Sequence, residues 1–138
     1  MSAETATAPS IKQAALGDLD IEMQRTRTLL ERVPDDQLDW KPHPKSMALG
    51  SLALHITTIP YWIETIASTE YLDLAGMTHN APPASRQEIL DAFDQRTAAM
   101  RAALDRADDA TLLGPWELRM GDKVMQRMPR VGMIRGMG

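Results

Sequence analysis

A proline-framed loop that leads directly into an apolar helix most restricts the fold of this chain. The loop Lys41-Pro42-His43-Pro44-Lys45 is stiff, because each proline fixes its own φ and biases the preceding residue towards extended geometry. Ser46 follows, and its side chain is of the type that caps the first turn of a helix. Loop and cap together predict a helix that begins after Ser46 and leaves the loop at a defined angle.

The helix after this loop carries an apolar stripe with one histidine, His55, beside it. Pro60 lies inside the helix, and its missing N–H predicts a kink within a turn of His55. Burial of an unpaired imidazole is costly, so His55 is either a hydrogen-bonded structural residue or a metal ligand. The stripe consists of Leu49, Leu52, Ile56, Ile59, Ile63 and Ile66.

Two further segments show the spacing of amphipathic helices. The first ends at Pro34, and the other begins at a capping box formed by Ser85 and Glu88. Their inward-facing residues are predicted to be Leu16, Leu19, Met23, Thr26, Leu30 and Val33 in the first, and Ile89, Leu90, Phe93, Thr97, Met100 and Leu104 in the other.

The remaining segments are shorter. Residues 116–120 alternate apolar and polar side chains, and Gly121-Asp122 can turn the chain into residues 123–128, which predicts a small β-hairpin. Pro129 is suited to the first turn of a short last helix. Residues 71–83 are interpreted as a linker, and residues 105–114 as a polar loop. These elements predict an all-α bundle domain over residues 11–138 after a disordered tail over residues 1–10.

Composition excludes several classes of protein. The chain of 138 residues has no cysteine, so it forms no disulfide and no thiolate-bound zinc site. Its apolar runs are too short to span a membrane, and its N-terminus lacks the features of a signal peptide, which favours a cytoplasmic protein. The net charge of −4 argues against nucleic acid as a partner.

One basic cluster departs from this acidic balance near the C-terminus. It is interpreted as a solvated face, with a phosphate or nucleic-acid site as the less favoured alternative. The cluster consists of Arg119, Lys123, Arg127, Arg130 and Arg135.

Other catalytic motifs are missing from the sequence. There is no HExxH pair, no GxSxG elbow and no glycine-rich phosphate loop. His43 lies between two prolines and His79 lies in the linker, so both are interpreted as loop residues rather than ligands. His55 is therefore the one candidate metal ligand that the sequence offers.

The order of these motifs resembles the DinB family, the DinB/YfiT-like metalloenzymes rather than the DNA polymerase that shares the name. The resemblance covers about residues 16–138 and is carried by Val33-Pro34-Asp35-Asp36-Gln37-Leu38-Asp39-Trp40, by residues 41–47 and by Leu49-Gly50-x-Leu52-Ala53-x-His55-Ile56. Residues 124–130, with Arg135, resemble the start of the family's last helix. The resemblance implies a four-helix bundle with an up-down-down-up path, commonly dimeric. It also implies zinc or nickel bound by three histidines, one at the position of His55 and two in an HxxxH pair on the last helix.

The sequence departs from that pattern after Pro129, where no histidine occurs. The expectation is a chain truncated before the HxxxH pair, with an incomplete site and weak or absent metal binding. The resemblance implies a metal-dependent enzyme of hydrolase or thiol-transferase type, for which Glu64 and Asp39 are possible bases. The alternative is a non-catalytic bundle that acts as a dimerisation or binding module, and a homodimer is expected in either case.

Overall fold

The computed structural model describes residues 10–75 and 81–137. Within them the chain is mostly helical, with one small sheet of three strands in the order β1-β2-β3. The elements are α1 (Ile11–Leu16), α2 (Leu19–Leu30), a 3₁₀ turn (Asp35–Gln37), α3 (Leu49–Ile56), α4 (Thr58–Ser68), β1 (Tyr71–Asp73), α5 (Arg86–Arg106), α6 (Asp109–Leu113), β2 (Pro115–Met120), β3 (Lys123–Pro129) and α7 (Arg130–Met137). Residues 1–9 of the predicted tail lie outside the described part, and the prediction is wrong for its last residue, Ser10, which caps α1.

Most of the residues that were predicted to face inward are buried in the core. All six residues assigned to the stripe of α5 are buried, and five of the six assigned to the first helix are buried around a half-buried Thr26. That first helix is divided into α1 and α2. Leu52 is the exception in the remaining stripe, because 47% of its surface is exposed. The prediction that Leu52 faces the core is therefore wrong.

Helix α5 is central to the packing, since it contacts α2, α3 and α4. The contact between α2 and α5 includes an ion pair. Arg27 of α2 donates from Nε and Nη2 to the two carboxylate oxygens of Asp94 on α5, at 2.8 and 3.0 Å. These bonds hold the pKa of Asp94 below its usual range. Helix α7 packs on α4, α1 and α6, and the up-down-down-up path of four helices stays a prediction.

The predicted interruption near Pro60 is confirmed. Helix α3 ends at Ile56 and α4 begins at Thr58. Pro60 has no N–H to donate to the carbonyl of Ile56, four residues earlier, so a continuous helix would lack one of its bonds here.

The predicted helix start at Ser46 is wrong. Helix α3 begins at Leu49, and no side chain caps it. Instead, the backbone N–H groups of Leu49 and Gly50 donate to the carbonyls of Trp40 and Leu38, each at 2.9 Å. The chain before the loop has folded back and satisfies donors that a capping side chain would otherwise serve. Ser46 therefore does not cap this helix.

A third strand extends the predicted hairpin into a small sheet. The hairpin of β2 and β3 is confirmed, with Gly121 in the turn at φ 61°. Tyr71–Asp73, which the sequence assigned to a linker, forms β1 and pairs parallel to β2. The predicted polar loop over residues 105–114 is also wrong, because α5 continues to Arg106 and α6 follows.

The stability of the fold should depend on pH through Asp73, which lies where β1 meets the hairpin turn. The Asp73 carboxylate accepts from the backbone N–H groups of Ala75 and Gly121, both at 2.9 Å. These donors lower the pKa of Asp73, so its stabilising contribution is complete above the ordinary carboxyl pKa and is lost as the pH falls through the lowered value. We expect the stability difference between wild type and Asp73→Asn, measured by urea unfolding from pH 7 to 2, to shrink in acid. A difference that stays constant over this range would contradict the assignment.

Candidate functional site

His55 occupies the last turn of α3 and is exposed. Leu52, three residues earlier on the same side of the helix, is also exposed. The implication that the imidazole beside the apolar stripe is buried is therefore wrong. An exposed imidazole needs no buried partner, so the alternative of a hydrogen-bonded core histidine is not realised.

The backbone around His55 is well fixed, although its ring is not. The Thr58 hydroxyl donates to the His55 carbonyl at 2.6 Å. Among residues 10–75 and 81–137, no hydrogen bond or ion pair to the imidazole of His55 is found. Its two ring nitrogens are thus available to a ligand from solvent.

The junction between α3 and α4 is held by a polar contact that sequence reasoning missed. Thr57 is fully buried, and its hydroxyl donates to the Leu54 carbonyl at 2.6 Å. The same oxygen accepts from Nη1 of Arg96 on α5, at 2.5 Å. This contact fixes the end of α3 against α5. The sequence did indicate that Arg96 faces the core. Arg96 follows Phe93 by three residues and precedes Met100 by four, which is the spacing of the buried stripe.

The other candidate residues that the structure describes do not form a group of three or more possible ligands with His55. Asp39 is exposed in the turn before the loop, and Glu64 is half-buried on α4. His43 is exposed, and its Nδ1 accepts from the backbone N–H of Lys45 at 3.2 Å. His79 lies outside the described residues. In the described part of the chain, no group of three or more His, Cys, Asp or Glu side chains could hold a metal ion.

Comparison with known proteins identifies the class of this chain. The family model of the DinB superfamily matches residues 18–128. The chain therefore belongs to the DinB superfamily, whose members are generally metal-associated and enzyme-like. No curated protein and no solved structure gives a match. Within the described residues, no helix has both the length and the apolar character needed to cross a bilayer.

Proposed function

We propose that this chain is a DinB-type domain of a metal-dependent enzyme, of the hydrolase or thiol-transferase type, in which His55 is a metal ligand. The observation that carries the proposal is the accessible imidazole without a hydrogen-bond partner, at a helix end whose backbone is fixed by Thr57 and Thr58. It occurs in a chain that belongs to a generally metal-associated superfamily.

The described residues do not fit a complete metal site. A three-histidine site for zinc or nickel needs two more imidazoles, and no histidine follows Pro129. Among the described residues, neither Asp39 nor Glu64 joins His55 in a group of three or more possible ligands. His55 is thus one ligand of a site that the described residues do not complete.

We expect residues 1–138 to bind zinc or nickel weakly, because one imidazole with water is a poor match for a three-histidine site. Calorimetry measures the affinity, and NMR with Ni²⁺ locates the binding by line broadening. His55→Ala should remove the broadening, whereas His43→Ala, at an exposed loop histidine, should retain it.

Two results would count against this assignment. Broadening that is the same in wild type and His55→Ala would exclude His55 as a ligand. Tight one-to-one binding would show that the chain contains a fuller ligand set than the described residues provide.

A second candidate function is a non-catalytic module for dimerisation or binding. Three large apolar side chains are exposed along the path into α3: Trp40 at 54%, Met47 at 51% and Leu52 at 47%. The hydrogen bond from Leu49 N–H to the Trp40 carbonyl brings the start of this segment beside α3. Exposed apolar side chains that lie together favour association.

We expect a homodimer or a partly associated species in sedimentation experiments at several concentrations. Leu52→Gln should shift the equilibrium towards monomer, since it removes apolar surface from the α3 side. Leu113→Gln is the matched control, because Leu113 of α6 is exposed to a similar degree, 53%. A wild-type monomer at every concentration, or equal effects of the two substitutions, would speak against this interface.

A further inference from the structure

The outer face of the sheet carries a row of polar side chains around a cavity. Glu117 of β2 is aligned with Tyr71 of β1 on one side and with Arg127 of β3 on the other. Trp116, the neighbour of Glu117, points to the opposite face and is buried in the core. The cavity has a volume of about 370 Å³ and is lined by Glu70, Tyr71, Pro115, Glu117, Arg119, Arg127 and Arg130.

One arginine of this cavity, Arg119, is paired with a carboxylate. Arg119 donates from Nε and Nη2 to the same oxygen of Glu117, at 2.7 and 2.6 Å. Its guanidinium also stacks on Tyr71, 3.8 Å from the ring centroid. The charge of Glu117 is thus compensated mainly by Arg119 rather than by Arg127.

Arg127 is held much less firmly. Its Nε lies 3.7 Å from the other Glu117 oxygen, beyond hydrogen-bond distance, and 63% of its side chain is exposed. The guanidinium fork of Arg127 therefore remains free to bind an oxyanion with two parallel N–H groups.

Arg130 is fixed but has no carboxylate partner among the described residues. Its guanidinium donates to the backbone carbonyls of Ile66, Thr69 and Thr111. Nη1 and Nη2 each make one such bond, so each retains one N–H. Arg130 therefore contributes a positive charge to the cavity, and its hydrogen-bond partners are carbonyl dipoles rather than carboxylates.

The net charge of the side chains that line the cavity differs in sign from the net charge of the whole protein. Three arginines face two glutamates here, whereas the chain has a net charge of −4. We propose that this cavity binds a small oxyanion, a phosphate or carboxylate group, through the fork of Arg127 and the remaining N–H groups of Arg130. The sequence favoured a solvated face for these arginines and left a phosphate site as the alternative, and the cavity supports an anion site of that alternative kind.

The test is an NMR titration of residues 1–138 with sodium phosphate and, separately, with sodium acetate. Ionic strength is held constant with sodium chloride, because general screening would otherwise mimic binding. We expect saturable shifts at β2, β3 and the start of α7. Saturation by phosphate alone would assign the site to phosphate, and saturation by acetate alone would assign it to carboxylates.

Three variants make the assignment specific. Arg127→Gln should weaken anion binding by about tenfold or more, the factor expected for a lost hydrogen bond to a charged group. Glu117→Gln should strengthen binding, because it removes the carboxylate that competes for the arginines. Arg25→Gln is the control for net charge, since Arg25 is exposed on α2 outside the cavity and should leave binding unchanged.

The opposite effects of Arg127→Gln and Glu117→Gln separate a binding site from a structural cluster, which has no reason to bind anions more tightly when Glu117 is removed. Linear shifts without saturation would overturn the proposal. Equal weakening by Arg127→Gln and Arg25→Gln would overturn it as well.

Discussion

Replacement of Arg130 by glutamine should lower the free energy of unfolding by about 2–3 kcal/mol, in the range for charged hydrogen bonds. The guanidinium contacts the carbonyls of Ile66 and Thr69 at the end of α4 at 2.9–3.3 Å, and that of Thr111 in α6 at 3.2 Å. The last carbonyls of a helix have no intrahelical donors, and a cation near them is favourable. One side chain thus serves two helix ends, and a glutamine amide is too short to reach both.

Urea unfolding of Arg130→Gln and Arg127→Gln is the measurement. Both substitutions remove one arginine from the same cavity. Because Arg127 is exposed, its replacement should lower the free energy of unfolding by no more than about 0.5 kcal/mol. Arg130→Lys should recover only part of the loss, because an ammonium keeps the charge without the planar fork. Equal midpoints for the two glutamine variants would contradict the role of Arg130 at the helix ends.

Gly50→Ala is the other substitution with a large expected effect. It should lower the free energy of unfolding by about 1–2 kcal/mol. A Cβ at this position would lie 3.0 Å from Leu38 Cβ, 3.2 Å from the Leu38 carbonyl oxygen and 3.2 Å from Pro83 Cγ. None of these atoms is the end of a flexible side chain, so the backbone must shift and strain the 2.9 Å bond from Gly50 N–H to the Leu38 carbonyl. Overpacking of this kind costs about 1–3 kcal/mol, and the better helix propensity of alanine offsets up to about 1 kcal/mol of it.

Gly132→Ala is the matched control, because it changes a glycine of α7 by the same methyl group. Its added Cβ meets only Met128 Sδ, at 3.6 Å, which is an ordinary contact. The gain in helix propensity should then dominate, and the variant should be more stable than wild type by up to about 1 kcal/mol. Thermal or urea unfolding should therefore show opposite signs for the two substitutions. A stabilising Gly50→Ala would mean that the segment around Leu38 does not pack on α3 as described.

The helical periodicity of the sequence was enough to identify the buried faces of α2 and α5. Ile89, Phe93 and Met100 were predicted to face inward from their spacing alone, and all three are buried. The hairpin was predicted equally well, because alternation and a Gly-Asp turn are local signals that do not depend on distant residues. The cap of α5 by Ser85 is confirmed, with Glu88 N–H donating to its hydroxyl at 3.1 Å.

Elements that depend on distant partners were missed. Strand β1 has three residues and no long alternation of its own, and it exists because β2, more than 40 residues later, supplies the pairing. The start of α3 was misplaced for the same reason, since backbone carbonyls of Leu38 and Trp40 replace the side-chain cap that Ser46 could have offered. Local propensity is a weak guide wherever a tertiary hydrogen bond satisfies the same donor.

The sequence by itself determined the helical class, the buried faces of α2 and α5, and the membership of the DinB superfamily, because each depends on residue type and spacing along the chain. Only the tertiary structure decided that His55 is exposed, that Arg96 holds the junction beside it through Thr57, and that Arg127 and Arg130 share a cavity with Glu117. A helical repeat identifies an apolar face but does not reveal which neighbour covers the residues beside it. That information depends on the packing of elements far apart in sequence, and it decides which side chains remain free to bind a ligand.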